Sequence, residues 1–171
     1  MSDSSQHDLF DLNPEKRQSP TRRKAASEWK IVAVRETSPS YLAQCESPQQ
    51  AVDYWHRHIA TAPHFNPDCE CFAVLMLNVR KRIRGHHLVS IGSLNEAMAH
   101  PREVFRAAVI GAAHSVVLMH NHPSGDPTPS DADTRMTRRL AETGRILQVE
   151  VIDHVIVGNP SYSSFREAGL I

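Results

Sequence analysis

The densest chemistry in the sequence lies in the run His-Asn-His-Pro-Ser-Gly-Asp-Pro-Thr-Pro-Ser-Asp-Ala-Asp, residues 120 to 133. His120 and His122 are two apart and follow the apolar stretch Ser115-Val116-Val117-Leu118-Met119. On a strand their imidazoles project to one side and Asn121 to the other. Two neutral imidazoles on one side suit a zinc-type ion. Asp133 comes eleven residues after His122, in the first turn of a predicted helix. Gly125, Pro127 and Pro129 keep the connection tight, so the carboxylate can fold back over the histidines. Two histidines and one carboxylate leave a fourth position for water, whose pKa a zinc ion brings down towards roughly 7. Hydrolysis then needs a carboxylate to move protons and a hydroxyl to stabilise an oxyanion. Glu70 is the candidate for the first and Ser130 for the second. The residues read as a mononuclear metal-dependent hydrolase.

Each assignment has a plainer rival. Ser130-x-x-Asp133 at a helix start is close to a capping box, which would make both residues structural. Glu70 stands at the mouth of an apolar strand, either as a solvated edge residue or held there for chemistry. A two-histidine, one-carboxylate set also occurs in non-haem iron oxygenases. Glu103, in the first turn of a helix, reads as a dipole-compensating acid. His56 and His58 read as surface residues near a helix end, and His154 as a satisfied core or edge histidine. His86 and His87 are adjacent on a strand and point to opposite faces. Cys45, Cys69 and Cys71 have no zinc-finger spacing; Cys69 and Cys71 read as core residues, and an odd set argues for a reducing compartment.

The elements that must position these groups follow from pattern. Residues 29 to 34, with Ile31, Val32, Ala33 and Val34, predict a short strand. Ser47-Pro48 predicts a capped helix start, with Val52, Trp55 and Ile59 as the apolar stripe of a helix over about 48 to 60. Residues 61 to 68 read as a loop. Residues 70 to 77 then form a nearly continuous apolar run, a strand buried on both faces. A basic turn leads to a partner strand over 83 to 91. Pro101 opens a helix with Val104, Phe105, Ala108, Val109 and Ala112 inward. Residues 115 to 122 are the next strand, and 130 to about 146 the next helix, with Ala132, Met136, Leu140 and Gly144 inward. In a last strand over 149 to 157, Val149, Val151, Asp153, Val155 and Val157 share a face, with His154 on the other. Residues 162 to 171 close the chain. Interleaved helices and strands with a hairpin predict an α+β (αβα) domain built on a mixed sheet.

The chain has 171 residues, enough for one domain with a substantial core. Its 19 basic residues balance 19 acidic ones, so no global field draws it to nucleic acid. Residues 1 to 28 are polar, turn from acidic (Asp3, Asp8, Asp11) to basic (Arg22, Arg23, Lys24), and predict a disordered leader before a domain over 29 to 171. No run approaches the roughly 18 apolar residues of a membrane span, and no signal-peptide segment opens the chain. The expectation is a soluble cytoplasmic protein.

The sequence resembles the JAMM (JAB/MPN-plus) metalloprotease family, whose pattern is a distant Glu followed by His-x-His-x(7)-Ser-x-x-Asp. His120, His122, Ser130 and Asp133 match that spacing without departure. More narrowly it resembles the RadC branch, through His100-Pro101-Arg102-Glu103-Val104-Phe105 and the run from His120 to Ser130. The resemblance spans roughly residues 45 to 171. It implies a curved mixed sheet flanked by helices, related to the deaminase-like architecture. It also implies one Zn2+ per chain held by His120, His122 and Asp133, with Glu70 as acid/base, Glu103 as the fallback, and Ser130 assisting the tetrahedral intermediate. The implied reaction is hydrolysis of a peptide or isopeptide bond in a peptide or protein-conjugate substrate. Longer RadC proteins carry a helical, helix-hairpin-helix-like segment before this domain, and here about 45 residues precede it, so the family's DNA-repair label has less support than hydrolysis. The alternative is a DNA-associated accessory protein with a structural or vestigial metal site, its basic residues 16 to 24 on phosphate.

Overall fold

Alternating apolar faces on four long strands give the chain two surfaces to cover, and helices cover both. The computed structural model describes residues 43–92 and 99–171; the leader and the strand expected over 29–34 lie outside the described residues. In chain order these hold α1 (Pro48–Tyr54), β1 (Cys71–Leu77), β2 (Ile83–Ile91), α2 (Pro101–Ile110), β3 (Ser115–Asn121), α3 (Asp131–Leu147), β4 (Glu150–Val157) and β5 (Tyr162–Ser164). The sheet order is β2-β1-β3-β4-β5. β3 and β4 run parallel, with α3 as their crossover, and every other neighbouring pair is antiparallel. This is the mixed-sheet α+β fold that the element pattern predicts.

The central strands β1 and β3 are buried almost throughout. One face, with Ala73, Leu75, Val117, Met119 and Val155, packs on Ala51, Val52, Trp55 and Ile59 of the first helical segment. The other, with Phe72, Val74, Val116, Leu118, Val149 and Val151, packs on Val104, Phe105 and Ala108 of α2 and Leu140 of α3. Burial of the valine, leucine, isoleucine, methionine and phenylalanine side chains among these stabilises the layers by roughly 1.5–3 kcal/mol each before the entropy of ordering them is counted.

Four expectations need correction. On α2, Val109 is exposed and Ala112 lies past the helix end at Ile110, where both were expected inward. The helix expected over 48 to 60 changes hydrogen bonding at Tyr54: residues Trp55–Ile59 form a π turn, with Ala60 N donating to Trp55 O at 2.9 Å. The apolar period of Val52, Trp55 and Ile59 is compatible with both windings and does not distinguish them. On α3 the buried residues are Asp133, Thr137, Leu140 and Gly144, one residue round from the expected stripe at Ala132 and Met136, because polar residues on this helix serve the interior. In β4 the alternation breaks: Val116 pairs with Val151 but Val117 with Asp153, leaving Ile152 as an extra residue. Such a bulge inverts the facing of everything after it. Val149 and Val151 therefore lie on the α2/α3 side and Val155 and Val157 on the α1 side, where one shared face was expected.

Candidate metal centre

Strand parity places the first two donors. His120 and His122 project from the end of β3 on the α3 side, with His120 buried and His122 partly so. The next residue, Pro123, starts a loop that Gly125 turns at φ 84°. That loop is tied to the end of β4, by Asn159 N donating to Gly125 O and His122 N to Val157 O, at 2.9 and 3.0 Å. It delivers the chain to Ser130, the N-cap of α3.

The capping box is real. Asp133 N donates to Ser130 Oγ at 3.1 Å, and Ser130 N to Asp133 Oδ2 at 2.9 Å. Ser130 Oγ also donates to Asp133 Oδ2. Capping leaves one carboxylate oxygen to the histidines: Oδ2 serves the cap, while Oδ1 lies 3.2 Å from His120 Nε2. His122 Nε2 is 3.0 Å from His120 Nε2 and 3.6 Å from Asp133 Oδ2. Among the described residues, His120, His122 and Asp133 form a group whose ligand atoms all lie within 4.8 Å of one another, so it could hold a metal ion. Burial works against the Asp133 carboxylate, and its bonds from His120, His122 and Ser130 outweigh it, holding the pKa well below the usual carboxylate range. The same bond to Asp133 raises the His122 pKa against its partial burial, helped by the Asp126 carbonyl and by the charges of Asp133 and Glu70.

Glu70 lies outside that group. It immediately precedes β1, whose residue Phe72 pairs with His120; the same register continued by two residues would set Glu70 opposite His122. Three hydrogen bonds hold the backbone at and around Glu70. Asn121 Oδ1 accepts from Cys71 N at 2.9 Å and Asn121 Nδ2 donates to Cys69 O at 3.0 Å, so one amide grips the backbone on both sides of Glu70. Gly92 N donates to the Glu70 carbonyl at 3.0 Å. Glu103, by contrast, pairs with Arg106 at 2.7 Å on the exposed side of α2.

Cys45 and Cys71 are buried, and burial raises both thiol pKa values, Cys45 to about 11. They belong to the core, as expected of Cys71, and Cys69 is partly exposed. His154 is a fully buried and satisfied histidine, but the bulge turns it to the side that carries His120. Its Nε2 lies 2.8 Å from His120 Nδ1 and its Nδ1 2.6 Å from Thr137 Oγ1. Sequence spacing gave no signal for Asn121 or Thr137, and strand alternation sent His154 to the wrong face.

Residues 45–170 match the family model of the RadC-like JAB domain. The chain belongs to the RadC-like JAB-domain family. This RadC-like domain is 50% identical over 102 residues to the UPF0758 protein STH371 of Symbiobacterium thermophilum, covering 60% of this chain and 44% of that one. It is 47% identical over 132 residues to a UPF0758 protein of Pelobacter propionicus, covering 76% and 55%. A third relative, the UPF0758 protein TTE0897 of Caldanaerobacter subterraneus, is 53% identical over 100 residues, covering 58% and 43%. The chain spans about half the length of the curated relatives it matches. Among the described residues of the RadC-like domain, no helix is long and apolar enough to cross a membrane.

Proposed function

We propose that this domain is a zinc-dependent hydrolase of the JAMM type, acting on a peptide or isopeptide bond in a peptide or protein-conjugate substrate. The observation that carries the reading is the convergence of His120 Nε2, His122 Nε2 and an Asp133 oxygen, while each histidine's outer nitrogen is engaged elsewhere. His122 Nδ1 is 2.7 Å from the Asp126 carbonyl, which can only accept, so the proton sits on Nδ1 and the Nε2 lone pair faces inward. Two imidazoles and one carboxylate fit zinc in its catalytic coordination, three protein ligands and an open position. When bound, zinc supplies the Lewis acidity that makes water nucleophilic at neutral pH.

The chain's own residues would do the rest. Glu70, whose backbone and flanking residues are held by Asn121 and Gly92, would take a proton from water and return it to the leaving amine. Ser130 would donate to the oxygen that gains negative charge, its hydroxyl turning away from Asp133 Oδ2 to do so.

Glu70→Gln should retain stoichiometric zinc while turnover falls by about 10² to 10⁴, the usual worth of a general acid/base. His122→Ala should lose both metal and turnover. Elemental analysis paired with cleavage assays on a broad set of peptide and isopeptide conjugates checks this. Equal metal loss in the two variants would sink the assigned roles, iron in place of zinc would favour oxygenase chemistry, and a zinc-loaded wild type that cleaves nothing would sink the hydrolase.

A further inference from the structure

The side chains behind His120 form a chain of short contacts whose direction is fixed at its far end. Thr137 Oγ1 lies 2.6 Å from the carbonyl oxygen of Asp133, one helical turn back on α3. Two oxygens that close need a hydrogen between them, and only the threonine owns one. Thr137 therefore donates to Asp133 O, and towards His154 Nδ1 at 2.6 Å it can only accept. That places the single proton of a neutral His154 on Nδ1. The ring has no exposed surface and lies between Phe72 and Phe165, its centroid 4.8 Å from that of Phe165. With Nδ1 protonated, His154 Nε2 carries a lone pair and accepts from His120 Nδ1 at 2.8 Å. His120 Nδ1 is then the donor in that contact, and its Nε2 faces His122 Nε2 and Asp133 Oδ1 at 3.0 and 3.2 Å.

We propose that Thr137 and His154 are positioning residues that form a one-way hydrogen-bond relay, Thr137 to the Asp133 carbonyl, His154 to Thr137, His120 to His154, which sets the tautomer and ring plane of His120. The proposal rests on His120 being a metal ligand. Outer partners of this kind fix ligand orientation and are worth about 10- to 100-fold in metal affinity when removed. Here the relay also closes on itself, because Asp133 provides a ligand oxygen from its side chain and the terminal acceptor from its backbone. The two ligand-bearing elements, β3 and α3, are thus tied together behind the site as well as across it. The bulge at Ile152 is what makes this available, since regular alternation would carry His154 to the α1 side.

Nitrogen-15 NMR of histidine-labelled, metal-free wild type, at about pH 9 where ordinary imidazoles are neutral, reads the proton positions directly. His120 and His154 should both carry hydrogen on Nδ1. Hydrogen on His154 Nε2, or a bare His120 Nδ1, would overturn the relay. In parallel, zinc affinity measured against a competing chelator should weaken about 10- to 100-fold in Thr137→Val and stay near wild type in Thr137→Ser. His154→Phe should show the loss and His154→Gln, which can accept from His120 and donate to Thr137, should recover much of it. Equal affinity in Thr137→Val and Thr137→Ser would also overturn it. Thermal melts identify any variant that fails to fold, in which case the wild-type tautomers decide. A wild type that binds no zinc removes the metal reading, yet the proton positions still test the relay.

Discussion

Asn121 stands between the two candidate ligands and faces away from them, and its amide holds Cys71 N and Cys69 O. The flip state is unambiguous, because one partner can only donate and the other only accept. Its effect is to fasten Glu70 where β1 has not yet begun. Asn121→Ala should leave zinc affinity within about threefold and lower turnover by about 10- to 100-fold, since an ångström of misplacement is worth up to 10² in rate. It should also lower stability by about 1–3 kcal/mol through the orphaned Cys71 N–H. Steady-state kinetics beside zinc titration checks the split, and a variant with normal turnover would show that Glu70 needs no such anchor. At this scale the sequence makes His120, His122 and Asp133 legible, because strand parity and a short rigid loop leave few geometries open. Asn121 and Thr137 are illegible there, since their partners are backbone atoms that no spacing rule points to.

Elements were legible where burial repeats with a regular period. Cys71–Leu77 and Ser115–Asn121 read as strands from apolar content alone, and the hairpin to Ile83–Ile91 from its turn. The period misleads where backbone geometry changes without a change of residue type, as at the π turn and at the β4 bulge. On α3, Asp133 and Thr137 occupy the inner face because they have partners there, so hydropathy points one residue aside. The loop from His122 to Ser130 depends on a different constraint: a Cβ at Gly158 would lie 2.4 Å from Gly125 O and 2.9 Å from Pro127 Cδ. Gly158→Ala should push that loop off β4, pull the Asp126 carbonyl from His122, and weaken zinc binding about tenfold or more. The strain itself should be worth about 1–3 kcal/mol. Melts with and without zinc measure both effects, and an unchanged zinc response would mean that the loop follows the substitution without disturbing His122.

For the molecule as a whole, an ion held by His120, His122 and Asp133 would join the end of a central strand to the start of the crossover helix. Zinc at 100 times its dissociation constant should add about 2.7 kcal/mol to unfolding stability. That increment depends on pH in a definite direction. His122 must be unprotonated to bind metal, and its pKa lies above the ordinary 6.5, so proton competition sets in above that value as pH falls. In the metal-free protein the same raised pKa contributes stability that is full below the unfolded value and is lost as pH rises through the folded one. Acidification therefore weakens the zinc form while favouring the metal-free one, and the zinc-induced shift in melting temperature should shrink from pH 8 to pH 6. A shift that grew over that range would contradict the His122–Asp133 coupling. The bulge in β4 bears on how much change the molecule can absorb. Ile152 is the residue left over between two stretches that are each in register, so its removal would straighten the strand and leave Val151, Asp153, His154 and all that follows on the faces they already occupy. A one-residue deletion inside a buried strand ordinarily turns the remainder inside out; at this position the chain can become shorter and keep its chemistry in place.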